Sequence, residues 1–338
     1  MGFHRRLAPT GFDRGAFGVA ACVMSAAAAA LGTLPASAAP RGDTRAEVDR
    51  LYAQAEKATE AYNKADERGD ALREQIGTAQ DEIARQQERV NTMRDALGSL
   101  AGAQYRSGGL DPSLALLFSD SPDDYLEKAS ALDRIGTRQA GELKDLRLAL
   151  RDLAQEREEA DGKLAELGRS RTVVARNKQV IEGKLAKARQ LLGSLPYADR
   201  AAYGRASRSE RAGLAGLGDT VASSSRAAIA VAAARSALGR PYVWGANGPG
   251  GFDCSGLMQW SYAHAGVGLP RTSQAQRYAG RQVPLSQARP GDLVTYRSDA
   301  GHVGMYVGNG QVIHAPYPGA PVRYDPVGMM PISSVTRV

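Results

Sequence analysis

The sequence predicts an α+β protein in two parts: a long antiparallel helical hairpin, then a compact domain of helices on an antiparallel sheet. Three observations predict it. Apolar residues step by four and three over most of residues 51–192. A cysteine, Cys254, stands between a Gly/Pro-rich loop and a semi-apolar helical run. Two short apolar strands flank Gly308-Asn309-Gly310, each carrying a histidine.

Composition sets the frame. The chain has 338 residues, 43% apolar and 23% charged, enough for about two domains. Only 6% are aromatic, so part of the length is not expected to be globular. The net charge of +7 is uneven: residues 225–338 carry ten Arg and four Asp without Lys or Glu, a net +6. The long middle section is nearly neutral, which argues against a nucleic-acid stripe, and no nucleic-acid partner is expected. Two cysteines exclude a disulfide scaffold and a four-cysteine zinc ribbon.

Residues 1–38 read as an export signal. Arg5, Arg6 and Arg14 precede an Ala-rich apolar run, and Ala36-Ser37-Ala38 is a small-residue cleavage pattern. Cleavage after Ala38 removes Cys22 and His4, leaving Cys254 as the one thiol of a secreted, wall-associated protein. A lone thiol in an oxidising compartment is kept more often for chemistry than for packing.

Residues 39–195 are expected to form the hairpin. Leu51, Ala55, Ala58, Tyr62 and Ala65 begin a heptad seam that continues through Leu72, Ile76, Ile83, Val90, Met93, Leu97 and Leu100, interrupted at Gly69 and Gln86. A second runs from Tyr125 through Leu143, Leu153, Leu164, Leu167 and Ile181 to Leu192. Such a seam is buried by a partner helix. Gly108-Gly109-Leu110-Asp111-Pro112 breaks the first helix, and Ser121-Pro122-Asp123-Asp124 is a start signal for the second. The short break favours an intramolecular pair, hence a monomer, with arms of about 90–110 Å at 1.5 Å per residue. The charged outer faces are those of a solvated coiled coil. Residues 196–224 read as a linker, with a short helix around Ser207–Leu214.

The chemistry is expected in residues 225–338. A helix over 226–238 ends at Gly239 and Pro241. The glycines of the next loop are expected to expose Cys254 at a helix N-terminus, where unpaired N–H groups favour a thiolate. A thiolate nucleophile needs a base, and the base an orienting group. A three-residue loop, Gly308 to Gly310, pairs Gly304 with His314 and puts His302 diagonally beside it, within reach of an imidazole. A two-residue loop sends the rings to opposite faces. The first register also turns Val303, Met305, Val307 and Ile313 toward the core. Cys254 is thus the candidate nucleophile, His302 the general base and His314 the orienting residue. A tetrahedral metal set of Cys254, His302, His314 and an aspartate is the rival reading. No second thiol or close helical His pair supports it, and no metal or cofactor is expected. His264 lies inside the following helix and is given no role.

Pro241-Tyr242-Val243-Trp244-Gly245, Phe252-Asp253-Cys254-Ser255-Gly256-Leu257, Leu269-Pro270-Arg271, Pro290-Gly291-Asp292-Leu293 and the two histidine strands resemble the NlpC-type cell-wall cysteine endopeptidases, in order, over about residues 226–338. Ala246 departs from the pattern, where a second glycine is common. The resemblance implies a papain-like domain and hydrolysis of peptidoglycan stem peptides, commonly at the γ-D-glutamyl–diaminopimelate bond. It implies Cys254, His302 and His314 as the catalytic set, with Tyr242 near the thiol at the oxyanion hole. Asp253 and Ser255, with Trp244 and Arg271 in the same motifs, fall to substrate binding, Asp253 and Ser255 at the substrate's free amine. The hairpin is similar to the coiled coils of actinobacterial and streptococcal cell-division hydrolases, which implies a regulatory or docking arm and a membrane or divisome partner. The alternatives are an acyltransferase or amidase on the same scaffold, and a non-catalytic wall-binding or activator protein. If the hairpin covers the groove, residues 225–338 alone should cleave wall faster than the mature chain.

Overall fold

The computed structural model describes residues 41–106, 116, 121–205, 222 and 224–338. The expectations for the leader, for the break at Gly108–Pro112 and for a helix around Ser207–Leu214 lie outside the described residues. Two long helices come first, α1 (Arg41–Arg106) and α2 (Pro122–Ser194). They pack antiparallel along one apolar seam. Leu51, Ala55 and Ala58 meet Ile181, Leu185 and Ala188; Leu72 and Ile76 meet Leu167; Val90 meets Ala149 and Leu153. Burying each large aliphatic side chain contributes about 1.5–3 kcal/mol. Gly69 interrupts the heptad where the helices approach closely: a Cβ there would meet Ser170 Oγ at 3.6 Å and Leu167 at 3.8 Å. Ser121 caps α2 as the sequence implies, its hydroxyl accepting from the Asp124 N–H at 3.2 Å.

The buried seam is shorter than the apolar series. Tyr125, Leu143, Leu164 and Leu100 are exposed. With Leu72 opposite Leu167, α1 ends opposite about residue 134, so the first turns of α2 have no α1 residue facing them. Further along, 3.6 residues per turn rotates a 3.5-residue pattern off the contact line. The stretch read as linker begins with a helix, α3 (Tyr197–Arg205). The Tyr203 hydroxyl of α3 bonds Asp49 of α1 at 2.9 Å.

The remainder is a helix-on-sheet domain. Its helices are α4 (Ser225–Ser236), α5 (Cys254–His264) and the single turn α6 (Ser273–Gln276). Its strands are β1 (Arg281–Val283), β2 (Leu293–Tyr296), β3 (His302–Gly308), β4 (Gln311–His314), β5 (Arg323–Pro326) and β6 (Ile332–Arg337). They form one antiparallel sheet ordered β1-β6-β2-β3-β4-β5. Ala230 and Ala234 of α4 and Leu257, Met258 and Tyr262 of α5 pack on Leu293, Val303, Met305, Val307 and Ile313. Val294, Tyr296, Val312 and Val335 build a second core on the opposite face. The α+β architecture is the one the sequence implies, a papain-like domain preceded by long helices.

The β3–β4 register decides where the histidines point. Met305 pairs with Ile313, which sets Gly304 opposite His314. The loop differs from the expectation, however. Gly308 pairs with Gln311 across a two-residue turn, and a bulge between Tyr306 and Gly308 absorbs the extra residue. Gly308, Asn309 and Gly310 all have positive φ, +97°, +53° and +68°, which glycine and asparagine tolerate best. The bulge thus delivers the side-chain alternation of a three-residue loop.

Candidate active site

Cys254 opens α5, and Asp253 caps that helix by accepting the Gly256 N–H at 2.7 Å. Gly256 is required by close approach, because a Cβ there would overlap the Ala246 carbonyl. The Val303 N–H of β3 favours the thiolate form of the Cys254 sulfur. The loop glycines do not expose the thiol, contrary to expectation: Cys254 is 1% exposed. What covers it is α1.

Behind the thiol runs a line of three groups. His302 Nε2 lies 2.8 Å from His314 Nδ1, and His314 Nε2 lies 2.8 Å from Asp325 Oδ2. Arg323 Nε donates to the same Asp325 oxygen at 2.8 Å. Burial opposes charge on Asp325, but His314 and Arg323 outweigh it and hold the carboxyl below its usual range. Burial brings His314 down to about 4 against the pull of Asp325, so its ring is neutral at pH 7. An ionised Asp325 accepts from His314 Nε2–H, which leaves His314 Nδ1 to accept from His302 Nε2–H. The line therefore fixes the His314 tautomer and the orientation of the His302 ring, which brings a ring nitrogen within 4.8 Å of Cys254 Sγ.

Three polar residues of α1 enter this site. Glu56 Oε1 contacts His302 Nδ1 directly, and Glu56 Oε2 accepts from Arg297 Nη1 at 2.6 Å. Glu60 Oε1 accepts from Ser255 Oγ at 2.7 Å and lies 3.6 Å from Cys254 Sγ, while Oε2 accepts the Ser273 N–H at 2.8 Å. Asn63 Nδ2 donates to Asp253 Oδ2 at 3.0 Å. Arg297 reaches Glu56 from the β2–β3 turn with φ +65°, a backbone strain of roughly 1–2 kcal/mol. The electrostatic result is a silenced thiol. Burial, then Glu60, Glu56 and Asp253, push Cys254 well above the ordinary thiol range. Burial and Asp253 raise Glu60 to about 8. Glu56 resists its own burial because His302 and Arg297 hold it ionised.

The other residues singled out from the sequence surround this point. Burial first, then Cys254, raise the Tyr242 phenol far above its normal value, keeping it a hydroxyl. Arg271 forks onto Asp253 at 2.6 and 3.0 Å and also bonds Ser255 Oγ at 3.0 Å. Trp244 packs edge-on against Tyr62 of α1, ring centroids 5.3 Å apart. His264 lies elsewhere, its Nδ1 bonded to the Trp260 carbonyl at 2.9 Å. Sequence reasoning missed Asp325, Arg297, Glu56, Glu60 and Asn63. The one available signal was the i, i+4, i+7 spacing of Glu56, Glu60 and Asn63, a polar stripe beside the apolar seam.

A cysteine at a helix N-terminus, an imidazole beside it and a second imidazole anchored by a carboxylate can perform nucleophilic acyl transfer once the carboxylates of α1 withdraw. Comparisons with known proteins point to the same class. Residues 239–335 match the NlpC/P60 family. A probable endopeptidase of Mycobacterium tuberculosis is 48% identical over 97 residues, 29% of this chain and 25% of that protein. A probable endopeptidase of Corynebacterium glutamicum is 48% identical over 107 residues, 32% of this chain and 51% of that one. Among solved structures, the peptidoglycan hydrolase RipB from Mycobacterium tuberculosis is 37% identical, with 33% of this chain and 64% of that chain covered and a TM-score of 0.31. The P60 domain of an antigen from M. avium subspecies paratuberculosis is 38% identical, with 33% and 93% covered and a TM-score of 0.32. The chain spans a quarter to a half of the length of these curated relatives. Its C-terminal part is an NlpC/P60 domain.

Proposed function

We propose that the protein is a secreted cysteine endopeptidase that cuts peptidoglycan stem peptides, at the γ-D-glutamyl–diaminopimelate bond, and that α1 holds it closed. The observation that carries the reading is the line Asp325–His314–His302 aimed at Cys254, with two carboxylates of α1 set into the same point.

With α1 withdrawn, Cys254 loses the carboxylates that keep it protonated and His302 Nδ1 is freed to take its proton. The thiolate attacks the γ-D-glutamyl carbonyl. The Cys254 N–H and the Tyr242 hydroxyl stabilise the oxyanion, an effect of about 2.7–4 kcal/mol per donor in comparable sites. His302 protonates the leaving amine, and water then releases the acyl group. His314 and Asp325 hold the tautomer throughout. Asp253 and Ser255, vacated by Asn63 and Glu60, supply acceptors for the free amine of the stem, with Arg271 fixing both and Trp244 lining the approach. The +6 charge of residues 225–338 favours encounter with an anionic wall polymer. The hairpin is the arm on which a membrane or divisome partner pulls.

Mass spectrometry of muropeptides from purified wall tests the reading. Incubation with the mature chain carrying Glu56→Ala and Glu60→Ala should release a new amino terminus on diaminopimelate, and adding Cys254→Ala should remove it. Cleavage of another bond, or cleavage that survives Cys254→Ala, refutes it.

A further inference from the structure

We propose that the seam between α1 and the NlpC/P60 domain is a zinc site, in which Glu56, Cys254 and His302 bind one Zn2+ that latches the closed form. The proposal rests on the closed arrangement described above. The carboxylate oxygen, the sulfur and the ring nitrogen of these three residues all lie within 4.8 Å of one another, and all three residues are buried.

The donors suit the ion. Zinc takes thiolate, imidazole and carboxylate ligands at about 2.0–2.3 Å, which in a tetrahedron spaces them roughly 3.3–3.8 Å apart. To reach that spacing the direct Glu56 Oε1–His302 Nδ1 contact opens to admit the ion, while the sulfur stays within the same 4.8 Å cluster. Glu60 Oε1, 3.6 Å from the same sulfur, stands beside the open fourth position.

The surroundings are those of a metal ligand set as well. A ligating histidine usually donates its second N–H to an acceptor chain ending in a carboxylate, which fixes the tautomer and orients the ring. His302 does so through His314 to Asp325. Arg297 holds Glu56 by Oε2, leaving Oε1 turned toward sulfur and nitrogen. Burial first, then the neighbouring carboxyl groups of Glu60, Glu56 and Asp253, keep the thiol neutral. A dication reverses that balance: the thiol proton leaves to solvent and the thiolate becomes a ligand.

The site also spans two elements that must separate. Glu56 belongs to α1, whereas Cys254 and His302 belong to the NlpC/P60 domain. Opening leaves only two ligands, so the ion prefers the closed form, and by linkage it deepens closure by its differential affinity. Zinc would stop the enzyme by joining its nucleophile and base to the helix that covers them.

The test uses the metal-free, full mature chain. Titration with Co2+ should give one equivalent with a thiolate-to-metal charge-transfer band, displaced by Zn2+ and absent in Cys254→Ser. Zinc affinity, read by competition with a chromophoric chelator, should fall at least tenfold in Glu56→Gln and less than threefold in Glu60→Gln. Far-UV circular dichroism checks folding, and Glu56→Asp, which keeps a carboxylate, should retain the band if Glu56→Gln is misfolded. Absence of stoichiometric uptake overturns the proposal. So does a Glu56→Gln protein that binds zinc as tightly as the wild type, because the site is then only the thiol–imidazole pair. The closed arrangement fails separately: the metal-free wild type would already cleave wall as fast as Glu56→Ala/Glu60→Ala.

Discussion

Removing the two carboxylates of α1 should switch the enzyme on. Glu56 and Glu60 make five contacts with the domain beneath: to His302, to Arg297 at 2.6 Å, to Ser255 at 2.7 Å, to the Ser273 N–H at 2.8 Å and to Cys254 Sγ at 3.6 Å. Hydrogen bonds to charged groups are worth about 1.5–3 kcal/mol each, but burying the carboxylates cancels much of that sum. Truncating one partner of a buried ion pair typically costs about 3–5 kcal/mol. Applied to the Glu56 pair alone, that lowers the closed-to-open ratio by roughly 10²–10³, since 1.4 kcal/mol is a factor of ten. Glu60 adds less, because burial has already raised it to about 8 and left it mostly neutral at pH 7. Glu56→Ala/Glu60→Ala should therefore release peptide from purified wall at least tenfold faster than the wild type, followed by chromatography of soluble fragments. Both residues lie beside the α1–α2 seam, so circular dichroism and the thermal midpoint should stay near wild type. An equal rate in a folded protein refutes the reasoning.

Other outcomes follow from the same geometry. Tyr242→Phe in the opened background should lower kcat about 10²-fold or more with little change in KM, the loss of one oxyanion donor. Asp325→Asn should lower kcat about 10–100-fold and change the pH profile, while Asp325→Glu restores part of the rate; an unchanged profile removes Asp325 from the line. Glu60, raised to about 8 when closed and near 4.5 when free, favours closure at low pH, and that favour is lost as pH rises from about 4.5 through 8. Wall cleavage by the wild type should accordingly climb more steeply between pH 6 and 8 than cleavage by Glu60→Gln, and parallel profiles would contradict this.

The parts legible in the sequence are those governed by local periodicity. Heptad steps gave the two long helices and the inner part of their seam. Ser121-Pro122-Asp123-Asp124 marked a helix start by capping chemistry alone. Pairing arithmetic put His302 and His314 on one face, and the observed register agrees, although the device is a bulge before Gly308 rather than a longer loop. Periodicity could not show that Glu56, Glu60 and Asn63 are buried. Their stripe has the composition of a solvated face, and only a partner distant in sequence makes it an inserted one. Asp325 was hidden for a related reason: it meets His314 only because β5 pairs with β4, which no local signal announces. The same separation reversed the expectation for Cys254, exposed by its own loop glycines yet sealed by a helix nearly two hundred residues earlier.

The rate of alkylation of Cys254 against pH, read by peptide mapping, tests the central claim most directly. The wild type should react slowly near pH 7, with its thiol protonated beneath α1. Glu56→Ala/Glu60→Ala should react at least tenfold faster at pH 6–7, and His302→Ala should abolish that gain. Equal rates in the wild-type and opened chains, or an opened thiol that titrates near 8.5 like an ordinary cysteine, would contradict both the pairing of Cys254 with His302 and its closure by α1.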